Sequence, residues 1–312
     1  MKIIFTGASS FTGFWFVREL QTAGHEVICT FTNPPESYQG LKLERLTKLT
    51  KLCQALYSSP FGSPSFLKLI ASTRNIDILC HHGAQVNNYK SFAFPVVAAV
   101  AENTYNVVAV LEALKESGAK NLVLTTSVFA AGEGIGNNCS AVSPYGLSKG
   151  LSSEIFRFYG EALNFPLAKF VIPNPFGPLE EPRFVSYVMK QWLSKQVATI
   201  NTPHYIRDNI HVSLLAKAYA HFVSRAATST SKLCSNPSGY IMSQEAFTQK
   251  LAEEMRPRLQ KDCAIAIASN GIYTEPAIRI NSEPAVSLCS DWQEAQAFDA
   301  LATYYLGLHH GI

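Results

Sequence analysis

The sequence predicts an α/β protein in which a doubly wound parallel sheet is joined to a smaller C-terminal lobe. Short apolar runs alternate with longer amphipathic stretches over the first half of the chain, which is typical of strands and helices in such a sheet. A glycine-rich turn follows the first apolar run, and small or polar residues follow the later ones. The alternation ends near residue 177. We therefore expect residues 1–177 to form the sheet domain and residues 178–312 a lobe that closes over it, with some elements able to return to the sheet.

The composition is that of a compact folded protein, since 47% of the 312 residues are hydrophobic and 16% are charged. The formal net charge is +3 and Lys and Arg are scattered, so we expect no nucleic-acid partner. Seven cysteines without a Cys-x-x-Cys pair are typical of reduced thiols in a cytoplasmic protein. An apolar strand follows Met1 directly and no stretch has the length of a membrane span, so we expect neither a signal peptide nor a membrane partner.

The first strand and the turn after it predict a phosphate-binding loop. Residues 2–5 form a buried strand that ends at a turn, and an amphipathic helix is expected over 14–23. Gly7 permits a tight turn and Gly13 lets the helix pack closely on the strand. Ser10 stands at the position that usually holds a third glycine; it can donate a hydrogen bond to a phosphate but restricts close approach. A dinucleotide site is favoured over an ordinary strand–helix turn.

The second strand, 25–31, ends without the residue that usually selects the cofactor. Thr30, Thr32 and Asn33 stand where an Asp or Glu would hold the ribose of NAD, or an Arg the 2′-phosphate of NADP. Because no carboxylate repels a 2′-phosphate and these side chains can donate to it, we lean toward NADP, with NAD as the close alternative. A third strand is expected near 51–57.

Later strand ends collect further polar residues. The strand 76–80 is followed by His81 and His82, which point to opposite faces and have no third ligand nearby, so we expect structural roles and no metal. One long apolar helix is expected over 94–117 and contains Asn103. Strands at 121–126 and 167–172 lead into Ser127 and Asn174. Ligands of such sheets bind where strands end.

The stretch from Ser143 to Lys149 predicts a helix start that carries a reactive pair. Ser143 is a favourable cap and Pro144 a favourable first residue, and the helix should run to about residue 163. Tyr145 and Lys149 then lie one turn apart on the same face. An ammonium beside a phenol would lower the tyrosine pKa, which suits acid–base catalysis. Taken alone, the pair is better explained as a solvated helix start with an ordinary surface lysine.

Taken together, these motifs resemble those of the extended short-chain dehydrogenase/reductase family, in particular its nucleotide-sugar epimerases and reductases. The similarity spans about residues 1–225 and keeps the family's order. The matching segments are 6–13 (TGxxGxxG, with Ser10 as a departure), 77–84 (DxVxHxAA, with Gly83 for an alanine), Asn103, 125–132 (SS(S)xxVYG, with Ala130 and Ala131 for Val-Tyr), Tyr145 and Lys149 (YxxxK), 174–178 (NxYGP) and 207–212 (RDxIHV).

The resemblance implies a Rossmann-type dinucleotide-binding domain over 1–177, a substrate-binding lobe over 178–312, and a role for each matched residue. Tyr145 would exchange a proton with a sugar hydroxyl, Lys149 would hold the nicotinamide ribose, and Ser127 would bind the same substrate oxygen. Asn174 and Arg207 would face the nucleotide diphosphate, although an internal salt bridge of Arg207 with Asp208 or another acid is almost as well supported. The cofactor-binding residues implied are Gly7, Ser9, Ser10, Phe11, Gly13, Thr32, Gly83, Ala84, Asn103, Tyr145, Lys149 and Pro173.

Two departures from the family's pattern bear on the reaction. Members that eliminate water carry an Asp-Glu pair directly after the catalytic hydroxyl residue, where this chain has Val128 and Phe129. The resemblance therefore implies 4-epimerisation or 4-keto reduction of a nucleotide sugar. Ser10 and the missing ribose carboxylate also leave open a non-catalytic NAD(P)-binding sensor or scaffold. The family's four-helix contact and the apolar helices 94–117 and 143–163 imply a homodimer.

Overall fold

The structure, a computed structural model, describes residues 1–135, 140–229, 231–268 and 275–310. Cys139 lies outside the described residues. The strands are β1 (Lys2–Thr6), β2 (Glu26–Thr30), β3 (Gln54–Leu56), β4 (Ile78–His81), β5 (Asn121–Ser127), β6 (Leu167–Ile172), β7 (Asn174–Phe176), β8 (Ala198–Ile200), β9 (Ile206–His211), β10 (Leu233–Ser235), β11 (Pro237–Ser238), β12 (Tyr240–Ser243), β13 (Ile265–Ile267), β14 (Ile278–Arg279) and β15 (Glu283–Pro284). The helices are α1 (Phe11–Thr22), α2 (Gly40–Leu49), α3 (Pro64–Ser72), α4 (Val96–Asn103), α5 (Val107–Glu116), α6 (Pro144–Ala162), α7 (Phe184–Leu193), α8 (Val212–Thr228), α9 (Gln244–Leu259) and α10 (Glu294–His310).

The central element is a seven-stranded parallel sheet with the order β10-β6-β5-β4-β1-β2-β3. Strands β1 and β4 are neighbours, so the chain runs outward from the middle of the sheet first in one direction and then in the other. A crevice forms at such a reversal, outside the carboxyl ends of the strands, and this is where ligands of open α/β sheets bind. The predicted doubly wound fold is confirmed, and each predicted strand is present with its ends shifted by a few residues.

Helices cover both faces of the sheet because alternate residues of each buried strand point to opposite sides. In β1, Phe5 belongs to a core cluster with residues of α1 and α8, and Ile4 to a cluster with residues of α3 and α5. Phe16 of α1 stacks on Tyr219 of α8 with ring centroids 4.0 Å apart. A burial pattern of this kind, apolar on both faces, explains the nearly continuous apolar runs of the sequence.

The C-terminal segment builds its own core and also returns to the sheet. Helices α7, α9 and α10 enclose a cluster that includes Trp192, Phe247 and Phe298. Helix α8 packs on α1, and β10 extends the main sheet beside β6. We propose the division at residue 177 as the boundary of the two units, with α8 and β10 as the elements that cross it.

The predicted single helix over 94–117 is wrong, because the structure has α4 and α5 separated by a turn at residues 104–106. Asn106 has a φ of +52°, a left-handed conformation that interrupts a helix. By length and composition alone, Val96–Glu116 is long and apolar enough to cross a membrane, with 21 residues and a mean hydropathy of 1.2. The expectation that no stretch has that length is therefore also wrong. A single such segment is weak evidence for a membrane, since core helices of soluble proteins meet the same criterion.

Candidate active site

Two glycines shape the loop between β1 and α1. Gly7 has a φ of +79°, and a Cβ there would lie 2.6 Å from the amide nitrogen of Gly83. A Cβ on Gly13 would lie 2.2 Å from the carbonyl oxygen of Gly7. Both positions exclude a side chain, so the predicted tight turn and close helix–strand packing are confirmed. Ser9 is partly exposed beside the loop, and the side chain of Phe11 is buried in the core.

Backbone amides after β4 donate to side chains at the end of β1 and in α4. The Gly83 amide donates to Thr6 Oγ1 at 2.9 Å. Asn103, at the end of α4, accepts from the Gln85 amide at 2.8 Å through Oδ1, so it fixes the turn that contains Gly83 and Ala84. Gly83 and Asn103 therefore lie at the predicted strand end, next to the glycine loop.

The two adjacent histidines point to opposite faces, as predicted. His81 contacts Phe61 at a ring-centroid distance of 4.1 Å, whereas His82 contacts Phe16 on the other side of the sheet at 5.2 Å. Burial lowers the pKa of each imidazole to about 3, and the nearby charge of Lys149 adds to that effect. No group of three metal-ligating side chains occurs within the described ranges of the chain.

Helix α6 lies against the end of β5 and brings its first turn to Ser127. Ser143 caps the helix by accepting from the Gly146 amide at 3.1 Å, and Pro144 is its first residue, as predicted. A Cβ on Gly146 would lie 2.0 Å from the carbonyl oxygen of Phe129, so the helix start touches the backbone that follows Ser127. Ser127 Oγ accepts from the Phe129 amide at 3.3 Å and is 8% exposed.

Burial sets the protonation of the tyrosine–lysine pair. It raises the pKa of Tyr145 to about 12, with the charge of Arg183 opposing the rise and Tyr89 adding to it. It lowers the pKa of Lys149 to about 8. The expectation that Lys149 lowers the pKa of Tyr145 is therefore wrong, because desolvation of the phenolate outweighs the attraction of cations. Lys149 is 7% exposed and has no ion pair with any acid in the described part of the chain.

The carboxyl end of β2 holds hydroxyl groups and no acid. Thr30 is buried in the strand, and Thr32 lies exposed in the loop that follows. The Asn33 amide donates to the hydroxyl of Tyr38 at 3.4 Å. The geometry therefore keeps Thr32 accessible at the edge where the adenosine ribose of a dinucleotide lies in this class of fold.

The predicted substrate residues, Asn174 on β7 and Arg207 on β9, lie on neighbouring strands and have different partners. Pro173 is buried directly after β6, and Asn174 accepts from the guanidinium of Arg279 at 3.3 Å. Arg207 forms an ion pair with Glu275 at 3.2 Å and also donates to the carbonyl oxygens of Ile206, Pro276 and Ala277. Of the two alternatives for Arg207, the structure contains the internal salt bridge, with Glu275 and not with Asp208. Asp208 instead accepts from the amides of Gly239 and Asn281.

Arg279 is a site residue that the sequence analysis missed. It is 4% exposed, lies 3.8 Å above the ring of Phe129 and pairs with Glu275 at 2.8 Å. Its Nε is buried without a hydrogen-bond partner among the described residues. Arg279 lies in the C-terminal third of the chain, where the sequence analysis found no motif. The only feature that could have indicated a buried site residue there is an arginine between two isoleucines.

Arg183 is the second arginine that the sequence analysis missed. Its guanidinium lies 5.7 Å from the ring centroid of Tyr89, which in turn lies 5.6 Å from that of Tyr145. Arg183 has a buried Nε with no hydrogen-bond partner in the described ranges. Two nearby acids have direct partners of their own: Glu181 pairs with Arg45 at 2.5 Å, and Glu180 accepts from the hydroxyl of Tyr305 at 3.0 Å. Burial raises the pKa of Glu180 to about 8. The charge of Arg183 also acts on both acids and lowers each carboxyl pKa.

The glycine loop, the β5 end and the first turn of α6 thus meet at one edge of the parallel sheet. The model of the NAD dependent epimerase/dehydratase family matches residues 3–233, which is most of the chain. The chain belongs to this family. The family resemblance found from the ordered motifs is confirmed, and with it the NAD-dependent class of enzyme. A search of the curated proteins finds no match.

Solved structures of epimerases share the fold. A tyrosine-to-phenylalanine variant of UDP-glucuronic acid 4-epimerase from Bacillus cereus, in complex with UDP-4-deoxy-4-fluoro-glucuronic acid and NAD, is 17% identical with a TM-score of 0.77, covering 99% of this chain and 100% of that chain. UDP-glucose-4-epimerase from Stenotrophomonas maltophila, with NAD and formylated UDP-arabinopyranose, is 16% identical with a TM-score of 0.75 and full coverage of both chains, 100% and 100%. UDP-glucose 4-epimerase from Bifidobacterium longum, with NAD⁺ and UDP, is 19% identical with a TM-score of 0.70, and the match covers 100% of this chain and 98% of that chain.

The family and these structures also bear on the cofactor. The family is named for NAD, and all three structures contain NAD. The lean toward NADP gains no support. The missing carboxylate after β2 means that the usual residue for NAD is absent, but it does not by itself favour NADP. Thr30, Thr32 and Asn33 carry no positive charge that would bind a 2′-phosphate.

Proposed function

We propose that this protein is an NAD-dependent nucleotide-sugar 4-epimerase. The proposal depends on one contact: the first turn of α6 touches the backbone after Ser127, where Gly146 lies against Phe129. This contact lies at the same edge of the sheet as the glycine loop. It lays the start of α6, which carries Tyr145 and Lys149, against the carboxyl end of β5, which carries Ser127. The fold is shared with epimerases, which supports the same use of the site.

The residues that fit the cofactor are the glycine loop, Gly83, Asn103 and Lys149. A loop whose glycines leave no side chain in the way, at the start of α1, suits a pyrophosphate. NAD, when bound, accepts a hydride from the sugar and returns it. Lys149, which is buried and has no acidic partner among the described residues, would donate to the hydroxyl groups of the nicotinamide ribose.

Tyr145 would act as acid and base on the 4-hydroxyl of the sugar. It would take the proton of the 4-hydroxyl when the sugar is oxidised at carbon 4, and would return it to the same oxygen when the 4-keto sugar is reduced on its opposite face. Its pKa of about 12 keeps it protonated in the free protein, so it is ready to donate to a carbonyl. Ser127 would donate to the same oxygen and hold it in place.

Arg279 and Asn174 would bind the diphosphate, and we propose that Arg207 assists them through Glu275. Burial lowers the pKa of Arg279 to about 10, which leaves it positively charged at physiological pH. Glu275 contacts both guanidinium groups, Arg207 at 3.2 Å and Arg279 at 2.8 Å. A diphosphate would compete with Glu275 for them, since guanidinium groups bind phosphate oxygens strongly.

The reaction is tested by incubating the protein with UDP-, dTDP-, CDP- and GDP-hexoses in D₂O and analysing the products by mass spectrometry and NMR. A 4-epimer of unchanged mass without deuterium at carbon 4 is expected, because the hydride is held by the cofactor and does not exchange with water. Val128 and Phe129 cannot transfer protons, so a product lighter by one water would contradict the proposal. Deuterium at carbon 4 would contradict the hydride mechanism. Bound NAD without turnover of any sugar would favour the non-catalytic sensor.

We propose NAD as the resident cofactor. An epimerase uses its cofactor in both half-reactions and therefore retains it, whereas a ketoreductase must exchange it. Denaturing the purified protein and identifying the released nucleotide by mass spectrometry tests this. Released NAD supports the epimerase. An empty protein that binds NADPH more tightly than NAD would contradict both the cofactor and the choice of epimerisation over reduction.

A UDP-hexuronic acid is a second candidate substrate beside a neutral UDP-hexose, and Arg183 favours it. The guanidinium lies near Tyr145 and forms no ion pair in the described part of the chain, since the charges of Glu180 and Glu181 act on it only at longer range. A carboxylate on the sugar would therefore supply a direct charge partner. One of the structural neighbours binds a UDP-glucuronic acid analogue. The kcat/KM values for UDP-glucuronic acid and UDP-glucose should then differ in favour of the acid. Arg183→Gln should remove that preference while Lys190→Gln, on the exposed side of α7, keeps it. A preference for UDP-glucose in the unaltered protein would contradict the hexuronic acid.

We also propose that the protein is a cytoplasmic homodimer. The outer faces of α4 and α6 carry exposed apolar side chains, with Val97 84% and Phe158 60% exposed. A second copy of the chain would cover them. The six cysteines of the described chain are free thiols, which suits a reducing compartment.

A further inference from the structure

Ser10 is the position at which the glycine loop departs from its family, and its backbone shows no reason for glycine. Its φ of −72° and ψ of 164° are ordinary extended values that any residue adopts. A glycine at this position of a dinucleotide loop therefore serves close approach of the backbone to the pyrophosphate. The chain must place the Ser10 side chain somewhere other than the outer face of the loop.

The hydroxyl of Ser10 is turned into the interior of the loop and is fully bonded there. Oγ donates to the carbonyl oxygen of Gly7 at 2.8 Å and accepts from the amide of Gly13 at 3.1 Å. A third contact, at 3.1 Å, is with Nε2 of His82. The space exists because Gly13 has no side chain: a Cβ there would lie 2.7 Å from Ser10 Oγ.

His82 connects this hydroxyl to the sheet. Its Nε2 also lies 3.0 Å from Thr12 Oγ1 in α1, and its Nδ1 lies 2.8 Å from Thr125 Oγ1 in β5. Because Ser10 gives its one proton to Gly7, Nε2 of His82 must be the donor in this pair, and Nδ1 accepts from Thr125. The imidazole thus holds three hydroxyl groups from the loop, α1 and β5 in one network.

We propose that His82 is a positioning residue for the cofactor loop. It holds the Ser10 hydroxyl inward, so that the outer face of the loop stays clear for the pyrophosphate of NAD although the usual glycine is missing. Without His82, the Ser10 hydroxyl keeps only its two backbone hydrogen bonds, to Gly7 and Gly13, so its inward rotamer is held less strongly. The hydroxyl groups of Thr12 and Thr125 also lose their common partner. The family's pattern has an unspecified residue at position 82 and glycine at position 10. His82 and Ser10 therefore form a pair that the motif itself does not specify. The proposal rests on the NAD site proposed above.

A double-mutant cycle tests this pairing. The Kd for NAD is measured by titration calorimetry in the unaltered protein, His82→Leu, Ser10→Gly and the double variant, with the NAD that copurifies first removed. His82→Leu is expected to raise the Kd about tenfold, as the loss of one well-placed polar contact does. In the Ser10→Gly background, the same His82 substitution should change the Kd by no more than about twofold, because no side chain remains to be held. A residue that only supports the fold would weaken binding equally in both backgrounds.

Thr125→Val tests the same proposal while leaving the imidazole of His82 in place. It keeps the shape of the side chain but removes the hydroxyl that orients Nδ1, and it should weaken NAD binding in the Ser10 protein and not in the Ser10→Gly protein. Equal effects of His82→Leu or Thr125→Val in both backgrounds, or no effect in either, would overturn the proposal. If the unaltered protein fails to bind NAD, the proposed function itself is wrong. If it binds NAD without this coupling, only the role of His82 is wrong.

Discussion

At the scale of single residues, burial controls the chemistry of Tyr145 and Lys149. The phenol is surrounded by aromatic side chains, with the ring of Tyr89 at 5.6 Å and that of Phe94 at 6.0 Å between centroids. Its pKa of about 12 belongs to the unliganded site. The positively charged nicotinamide ring of bound NAD and the Lys149 ammonium would both favour the phenolate when the sugar hydroxyl must lose its proton.

Tyr145→Phe removes only the phenolic hydroxyl and should abolish most of the activity. We expect turnover to fall by roughly 10²–10⁴, the range typical of general acid–base catalysis, while the Kd for NAD and the melting temperature change little. Steady-state kinetics with the best nucleotide sugar measures this. Tyr89→Phe, on the neighbouring ring, is the matched control and should keep most of the activity. Near-normal turnover of Tyr145→Phe would rule out its catalytic role.

Lys149→Met should stabilise the protein without cofactor at neutral pH. Burial lowers the folded-state pKa of Lys149 from 10.5 to about 8. Between these two pH values the unfolded chain binds more protons than the folded one, so the free energy of unfolding rises with pH across that window. Below about pH 8 the full cost of burying the ammonium is present. We expect Lys149→Met to raise the melting temperature by roughly 2–4 °C at pH 7, with the gain shrinking as the pH rises toward 10.5.

Lys169→Met is the control for that experiment and should act in the opposite direction. Lys169 pairs with Glu133 at 2.5 Å, and Glu133 is 8% exposed, so removing the lysine leaves a buried acid unpaired. Scanning fluorimetry from pH 6 to pH 10 follows both variants. A pH-independent gain for Lys149→Met would show that its stabilisation comes from packing and not from charge.

At the scale of elements, two local features fix where α6 holds Tyr145 and Lys149: a capped start and a close backbone contact in its first turn. Ser143 and Pro144 set the first residue of the helix. Gly146 lets the helix lie against the carbonyl oxygen of Phe129, which is also bonded to the amide of Val142 at 2.9 Å. The position of Tyr145 relative to Ser127 therefore depends on one glycine.

Gly146→Ala and Gly150→Ala form a matched pair on this helix. A Cβ on Gly146 would lie 2.0 Å from the Phe129 carbonyl oxygen, whereas the nearest atom to one on Gly150 would be 3.6 Å away. We expect Gly146→Ala to destabilise the protein by about 1–3 kcal/mol, as overpacking does, and to lower kcat. Gly150→Ala should stabilise it by about 0.4–1 kcal/mol. Urea unfolding of both variants measures the difference, and equal effects would contradict the close approach.

At the scale of the whole molecule, α4 and α6 carry exposed apolar side chains that support the proposed homodimer. Only 28% of the apolar window in Val96–Glu116 is buried within one chain. On α6, Leu151 is 45% and Phe158 is 60% exposed. Neither the seven-stranded sheet nor the C-terminal lobe covers these side chains, so a second copy would bury them as an isologous contact.

Light scattering at micromolar concentration should give twice the chain mass of 34.2 kDa. Phe158→Glu should shift the protein to a monomer, because it places a charge in the proposed contact. Leu43→Glu is the control, since Leu43 is also exposed, at 44%, but lies on α2 at a different surface. A mass near 34.2 kDa for the unaltered protein would contradict the homodimer.

The sequence by itself determined the elements and their order, because these depend on interactions between near neighbours in the chain. The Ser143 cap, the left-handed Gly7 and the apolar runs of β1, β4, β5 and β6 are local features, and their order with the YxxxK pair was enough to indicate the family. The prediction of one helix over 94–117 failed because it relied on the same local patterns. The turn at 104–106 contains no proline or glycine to mark it, and the helix is interrupted only because Asn106 adopts a left-handed conformation.

Only the tertiary structure decided the partners of the charged and polar site residues. Ser10 meets His82 across 72 positions, Arg207 meets Glu275 across 68 and Arg279 meets Asn174 across 105. Periodicity and capping say nothing about such pairs, because they form between strands and loops that the sheet brings together. The pKa of Tyr145 is likewise a property of the folded site: a lysine one turn away suggested a lower value, and burial by Tyr89 and Phe94 produced a higher one.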